Sequence, residues 1–186
     1  MPLLPSLPDT ARLSDLLGRF PAHAGPLLTH VDGVMRAGAP LTAAECELIA
    51  AYVSGLNACA FCLGSHRIYT EALGIAPGLV DALLADPETA PVDPAMRPLL
   101  AYVAKLNTLP PRLTPGDVQA VLEAGWSEAA LYHAIQVAAL FNLFNRLVEG
   151  AGVNFSYGPD DPLPTAADLD HSYAGFAARM GLTKPA

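Results

Sequence analysis

The segment spanning residues 41–73 reads LTAAECELIAAYVSGLNACAFCLGSHRIYTEAL, and its pattern decides the fold expected for the chain. Apolar residues recur in it at helical spacing. Thr42, followed three residues later by Glu45, is the reciprocal pattern that caps a helix N-terminus. We therefore predict one helix over about 42–57 and a second over about 59–73, folded back on each other across a short turn.

The rest of the chain shows the same periodicity, and no stretch alternates apolar and polar residues long enough to predict a strand. Further helices are expected near 10–19, 22–37, 77–84, 94–107, 115 onward, 128–149 and 166–180, with a proline-rich connector at 86–94 and a Gly/Pro/Asp loop at 151–164. We predict a single all-α domain of residues 1–186. Its parts are the helices around the quoted segment (20–85), a second helical half (94–155) and a C-terminal helix (165–180).

The composition limits the classes of partner. Hydrophobic residues make up 52% of the 186 residues, and the mean hydropathy is +0.34. No apolar stretch is long enough to cross a bilayer, so we predict that the excess apolar surface is buried between the subunits of a homo-oligomer. The net charge is −8, and ten Lys and Arg are scattered along the chain, which disfavours nucleic acid and anionic membranes as partners.

The N-terminus and the cysteines indicate the compartment. The first residues lack the positive start and apolar core of a secretory signal. The three cysteines are an odd number, and two of them lie three positions apart, which does not fit the disulfide framework of a secreted domain. We expect a cytoplasmic protein with reactive thiols.

The chemistry is carried by Cys59 and Cys62, with His66 one helical turn beyond the second cysteine. Two cysteines at this spacing in the first turn of a helix can form a disulfide, and the helix dipole there favours the thiolate. An imidazole beside a thiol can take its proton, and the thiolate is the species that attacks a peroxide or a disulfide. Tyr69 lies on the same helical stripe.

Glu47 is expected to join this group by geometry. It lies about as far before the turn between the two helices as His66 lies after it. If the helices pack against each other, the carboxylate faces the imidazole, where it can orient the ring and raise its basicity. Ala51, Ser54 and Gly55 follow Glu47 on the same face and are small enough to permit close approach.

The pattern of Glu47, then Cys59-Ala60-Phe61-Cys62, then His66 resembles the signature of the alkylhydroperoxidase D / carboxymuconolactone decarboxylase superfamily. Residues 139–146, Ala-Leu-Phe-Asn-Leu-Phe-Asn-Arg, resemble a second-half phrase of its branch of peroxidase-related enzymes. The similarity covers roughly residues 20–155.

The resemblance implies a helical, usually oligomeric fold and the reduction of hydroperoxides by a small-molecule or protein dithiol. It implies that Cys62 attacks, that Cys59 resolves, and that His66 and Glu47 relay protons, with no cofactor or metal. One position departs from the pattern, because Phe61 stands where the well-studied peroxidase of the family has a second histidine. The decarboxylases of the superfamily lack the cysteine pair, which disfavours their activity here.

Two other functions fit the sequence. The first is a general disulfide oxidoreductase or redox sensor without peroxide turnover, which the Phe61 departure favours. The second is a non-catalytic helical scaffold that binds a partner or an apolar ligand, which the high apolar content favours. A structural zinc site is disfavoured, since a second Cys/His pair is absent from the sequence.

Several other residues can be interpreted as either structural or functional. Cys46 is interpreted as a core residue and His133 as a surface or internally bonded histidine. Tyr52 and Tyr69 are interpreted first as packing residues, with Tyr69 as an accessory candidate. Asn142, Asn145 and Arg146 are interpreted first as polar contacts between helix ends or subunits. The functional alternative is that Arg146 shapes the substrate entrance.

Overall fold

A computed structural model describes residues 1–153 and 172–182 of the chain. Every regular element in these residues is helical, which confirms the all-α class. The elements are α1 (Leu13–Arg19), a 3-10 turn (Pro21–His23), α2 (Ala24–Met35), α3 (Ala43–Leu56), α4 (Ala60–Ala72), α5 (Leu79–Ala85), α6 (Met96–Leu106), α7 (Pro115–Glu123), α8 (Glu128–Ala151) and α9 (Tyr173–Arg179).

The boundaries of α1 to α8 agree with the predicted ones within a few residues. Helix α8 continues to Ala151, two residues beyond its predicted end, and Gly152 ends it in the left-handed conformation. The predicted loop at 151–164 and the start of the last helix lie largely outside the described residues. No helix in the described residues has the length and apolar character needed to span a membrane.

Helix α3 lies at the centre of the core. Its nine consecutive residues from Cys46 to Ser54 are all buried, because α4, α5, α6 and α8 surround it. A helix that is apolar on every side is stable in water only in such a position. Thr42 caps its N-terminus as predicted, and Glu45 Oε2 accepts a 2.7 Å hydrogen bond from the Thr42 amide.

The turn between α3 and α4 fixes where the cysteines lie. Ala58 adopts the left-handed conformation, with φ of 55°. Its amide donates to Gly55 O, and the amide of Cys59 donates to Ser54 O, each at 2.9 Å, which is the Schellman helix ending. A non-glycine residue in this conformation costs about 1–2 kcal/mol. The turn makes Cys59 the N-cap of α4 and puts Cys62 in its first turn.

Gly55 has a role different from the one expected. A Cβ atom at this position would overlap the side chain of Leu84 in α5. Its small size therefore admits α5 against the core, instead of serving the contact between α3 and α4.

Candidate active site

A buried ion-pair network begins at Glu47 in the middle of α3. The side chain of Glu47 is 0% exposed; its Oε2 is hydrogen-bonded to His66 Nδ1, and its Oε1 accepts a 2.6 Å hydrogen bond from Arg36 Nη2. The structure thus brings together the carboxylate and the imidazole that the sequence placed on facing helices. Arg36, at the end of α2, was missed, because its separation from Glu47 gives no local signal.

The charges around Glu47 decide its ionisation. Burial acts to raise its pKa, but the opposite charges and hydrogen bonds of His66 and Arg36 together lower it. Arg36 behaves in the same way: burial opposes its charge, and Glu47 raises its pKa overall. Glu47 is therefore a carboxylate held between two cationic or proton-bearing partners.

Cys62 is the more acidic of the two motif thiols. A hydrogen bond from Cys59 is the largest cause that lowers its pKa, to about 7; burial opposes this, and the charge of His66 and a hydrogen bond from Asn145 add to it. The start of α4 contributes its dipole in the same direction. A substantial fraction of Cys62 is therefore thiolate at neutral pH.

Cys59 has the opposite character. It is fully buried, and it lies 3.3 Å from Cys62. Its hydrogen bond to Cys62 and its burial both raise its pKa. Both residues are free thiols. The pair thus consists of one ionisable sulfur and one protonated sulfur that donates to it.

A pocket of about 290 Å³ gives access to Cys62 and His66. Six aromatic rings and three guanidinium groups line it, and α1 and α9 contribute residues to its wall. The aromatic rings are those of Phe61, Tyr69, Phe141, Phe144, Tyr173 and Phe176. Arg12, Arg36 and Arg179 are the guanidinium groups of the wall. Cys62 is only 4% exposed, but it lines this pocket.

The two accessory candidates lie in different places. Tyr69 lines the pocket, with its ring centroid 6.4 Å from that of His66. Arg146 is exposed on α8 and donates to Asn142 Oδ1 at 2.8 Å. It is not part of the pocket wall formed by the described residues. The first interpretation of Arg146, as a polar contact, fits this hydrogen bond, and the alternative role at the substrate entrance gains no support from the pocket lining.

The contribution of α9 to the site could not be predicted from the sequence. Tyr173 packs its ring 5.1 Å from the guanidinium carbon of Arg36, and its own pKa is raised by burial and by Glu47. Phe141 from α8 meets the His66 ring edge-on, with centroids 4.4 Å apart. Both contacts join residues far apart in sequence. Their signal lay only in the aromatic character of two otherwise ordinary helices.

The third cysteine lies in the core, as interpreted. Cys46 is 1% exposed, and its sulfur lies 3.7 Å from Nε2 of the buried His133. His133 Nε2 is 2.6 Å from Val34 O, so this histidine is bonded internally. In the described part of the chain, no group of three or more His, Cys, Asp or Glu side chains is placed to hold a metal ion.

Solved structures with the same helical arrangement are known. A protein from Ralstonia eutropha JMP134, described as an alkylhydroperoxidase AhpD core and an uncharacterized peroxidase-related protein, is similar with a TM-score of 0.70. It is 22% identical, and the match covers 75% of this chain and 74% of that one. The chain has the AhpD-core fold. This confirms the fold that the sequence resemblance implied.

A second similar structure is that of an uncharacterized peroxidase-related protein from Silicibacter sp. TM1040, with a TM-score of 0.64 and 24% identity. The match covers 68% of this chain and 66% of that chain. No family model and no curated protein matches the sequence. The AhpD-core fold is therefore established by structure, and the chemistry has to be argued from the side chains of this chain.

Proposed function

We propose that this protein is a thiol-dependent peroxidase that reduces organic hydroperoxides through a cycle of Cys62 and Cys59. The observation that carries the proposal is the state of Cys62. Its pKa is lowered to about 7, it lines a pocket, and a protonated thiol lies 3.3 Å away. Low pKa, access and an adjacent resolving thiol are the features that mark a peroxide-reactive cysteine.

In the first step, the Cys62 thiolate attacks the terminal oxygen of the hydroperoxide. The S–O bond forms as the O–O bond breaks, so the sulfur becomes a sulfenic acid and the alkoxide leaves. A proton from His66 converts the alkoxide to the alcohol. Glu47 holds Nδ1 of the imidazole, which leaves Nε2 to exchange the proton, and Arg36 steadies Glu47.

In the second step, Cys59 attacks the Cys62 sulfur. The S–S bond forms, the S–O bond breaks, and the hydroxide leaves as water with the proton that Cys59 carried. A small-molecule or protein dithiol then attacks the disulfide and is itself oxidised, which restores both thiols. The attack falls on Cys62, because Cys59 is fully buried.

The pocket supports an organic substrate over hydrogen peroxide. Its aromatic wall gains little from a small polar molecule but can bury an alkyl or aryl group. Assembly as a homo-oligomer and a place in the cytoplasm remain predictions from composition. Size-exclusion chromatography with light scattering tests the first of these.

The decisive test is mass spectrometry after one equivalent of cumene hydroperoxide. In Cys59→Ser the sulfenic acid on Cys62 should accumulate and be trapped by dimedone, whereas wild type should form the intramolecular disulfide. Cys62→Ser should do neither and should not consume the peroxide with dithiothreitol. Equal peroxide consumption by wild type and Cys62→Ser would rule out the assignment.

A general disulfide reductase or redox sensor is the second candidate, and Phe61 is the observation that favours it. Phe61 lies between the two cysteines in sequence, and it lines the pocket. A phenyl ring at this position supplies no proton. A redox-active Cys59–Cys62 disulfide with negligible peroxide turnover would select this function. The same mass spectrometry distinguishes the two, because it follows the disulfide and the peroxide separately.

A further inference from the structure

We propose that the substrate is an organic hydroperoxide that also carries a carboxylate, which Arg12 and Arg179 bind at the open end of the pocket while the peroxide lies against Cys62. The proposal rests on the proposed peroxidase function and names the class of hydroperoxide that the same site takes. Its basis is the distribution of charge around the pocket, which the reaction cycle itself does not use.

The pocket is lined by positive charge in a chain that is acidic overall. The protein has 18 Asp and Glu against ten Lys and Arg, which gives a net charge of −8. Three guanidinium groups nevertheless line the pocket, and no carboxylate belongs to the lining that the described residues form. A cleft lined by charge of one sign attracts ligands of the other sign. The pocket therefore favours an anion over a neutral or cationic ligand.

The three guanidinium groups differ in what they offer a ligand. Arg36 Nη2 donates to the buried Glu47 carboxylate at 2.6 Å, so much of its charge is balanced within the protein. Arg12 and Arg179 are exposed residues of the pocket wall, which places them at its open end. Each guanidinium carries five N–H donors, so it can bind an anion while it keeps other partners. The charge that meets a ligand is therefore mainly that of Arg12 and Arg179.

The two arginines are presented by helices that pack together. Arg12 directly precedes α1, and Arg179 is the last residue of α9. Leu17 of α1 and Ala177 of α9 are buried in the same apolar cluster, and α9 also packs along α2. Docked helices thus hold both arginines at the pocket wall. A carboxylate can be bound there by two guanidinium groups at a small cost in ordering.

The buried end of the pocket determines how such a ligand would lie. Cys62 and His66 are both buried, so the reacting groups are at the end away from the exposed arginines. The aromatic lining can take up an aryl or alkyl group. A carboxylate at the buried end would lose its hydration, whereas one at the open end stays partly hydrated. The ligand therefore lies with its hydroperoxide at Cys62 and its carboxylate outward.

The test compares two substrates that differ only in charge, namely cumene hydroperoxide with a para-carboxylate and the same molecule with a para-carboxamide. With dithiothreitol as the reductant, wild type should show an about tenfold higher kcat/KM for the carboxylate, because each exposed arginine–carboxylate pair contributes a few-fold. Combining Arg12→Gln with Arg179→Gln should bring the two values within about twofold of each other. Each single variant should give an intermediate ratio, and these decide the outcome if the double variant does not fold.

The matched control combines Arg19→Gln with Arg112→Gln. It makes the same change in net charge at two exposed arginines that lie outside the pocket lining, so it should keep the wild-type ratio. A general structural effect would lower kcat/KM for both substrates and leave their ratio unchanged. Equal kcat/KM for the two substrates in wild type, or a wild-type ratio in the folded double variant of Arg12 and Arg179, would overturn the proposal.

A second measurement needs no peroxide turnover. The unreactive analogues para-isopropylbenzoate and para-isopropylbenzamide should both protect Cys62 from iodoacetamide, as followed by peptide mass spectrometry. In wild type the benzoate should protect at an about tenfold lower concentration, and in the Arg12 and Arg179 double variant this difference should vanish. If the difference is seen but neither hydroperoxide is consumed, the proposed function alone is rejected. If both hydroperoxides are consumed equally well and both analogues protect equally, the carboxylate site alone is rejected.

Discussion

Two of the three buried cysteines, Cys62 and Cys46, each have a buried histidine nearby, and the two thiols differ sharply in acidity. The pKa of Cys62, near His66, is lowered to about 7 chiefly by a hydrogen bond from Cys59. The pKa of Cys46, near His133, is raised to about 12 chiefly by burial. The two cysteines are almost equally hidden, at 4% and 1% exposure. Burial and a neighbouring histidine are therefore not enough to make a reactive thiol.

The difference lies in the partners of each pair. His133 is occupied by the main chain: Nε2 is 2.6 Å from Val34 O, and the amide of Leu41 donates to Nδ1 at 3.4 Å. His66 Nδ1 is hydrogen-bonded to Glu47, and the ring lines the pocket, where Nε2 can exchange a proton. Glu47 also raises the pKa of Cys46, its neighbour in sequence. One carboxylate thus suppresses one thiol and supports the histidine of the other.

The largest expected effect is the selectivity of alkylation. At pH 7 about half of Cys62 is thiolate, whereas a thiol with a pKa near 12 is ionised in about one molecule in 10⁵. Iodoacetamide should label Cys62 at least about 10³-fold faster than Cys46 in the native protein, as measured by a mass-spectrometric time course. In urea the rates should converge. If the alkylation rates of Cys62 and Cys46 in the native protein were within tenfold of each other, the contrast between the two thiols would be wrong.

The next effect concerns the carboxylate. Glu47→Gln should lower peroxide turnover about 100-fold, because His66 loses the group that orients it and raises its basicity. It also leaves Arg36 without its buried counter-charge, so a lower melting temperature is expected. Glu45→Gln is the matched control, because it lies two residues away and glutamine can still serve the capping box. Equal turnover in the two variants would contradict the role of Glu47.

The pH profile should follow Cys62 alone. Because the thiolate is the reactive form and its pKa is lowered to about 7, turnover should be full above that pH and fall about tenfold per unit below it. A thiol with an ordinary pKa would lose its activity nearer pH 9. Initial rates from pH 5 to 9 measure this midpoint. Cys46→Ser should give the same curve. A turnover that decreases as the pH rises from 6 to 8, or one that rises only near pH 9, would point to another group.

The parts of this site that could be predicted are those set by local pattern. The capping pair Thr42 and Glu45 located the start of α3. Glu47 and His66 lie about equally far from the turn between α3 and α4, which was enough to place them opposite each other. The sequence could not reveal that Arg36 completes the pair, because that contact depends on how α2 docks on α3. The hydrogen bonds among the side-chain amides of Asn57, Asn107 and Asn142 likewise depend on how α3, α6 and α8 meet in three dimensions.

The same limit applies to Arg146 and Gly55. The sequence left Arg146 with two interpretations, first a polar contact and alternatively an entrance residue, and its side chain donates to Asn142. Gly55 looked like a contact with α4 because it continues the Glu47 stripe, yet its free space is filled by Leu84 from α5. A helical stripe predicts which residues share a face. It does not predict which neighbouring helix that face meets.

The smallest effect on activity is expected at the pair of Cys46 and His133. His133→Ala removes the partners of Val34 O and the Leu41 amide, so the free energy of unfolding should fall by about 1–3 kcal/mol, measured by urea denaturation. Turnover of the folded protein should stay within about twofold of wild type, since His133 lies on the Cys46 side of α3 and does not line the Cys62 pocket described here. A loss of turnover as large as that in Glu47→Gln would mean that the two cysteine–histidine pairs are coupled through α3. In that case the contrast between a structural pair and a reactive pair would no longer hold.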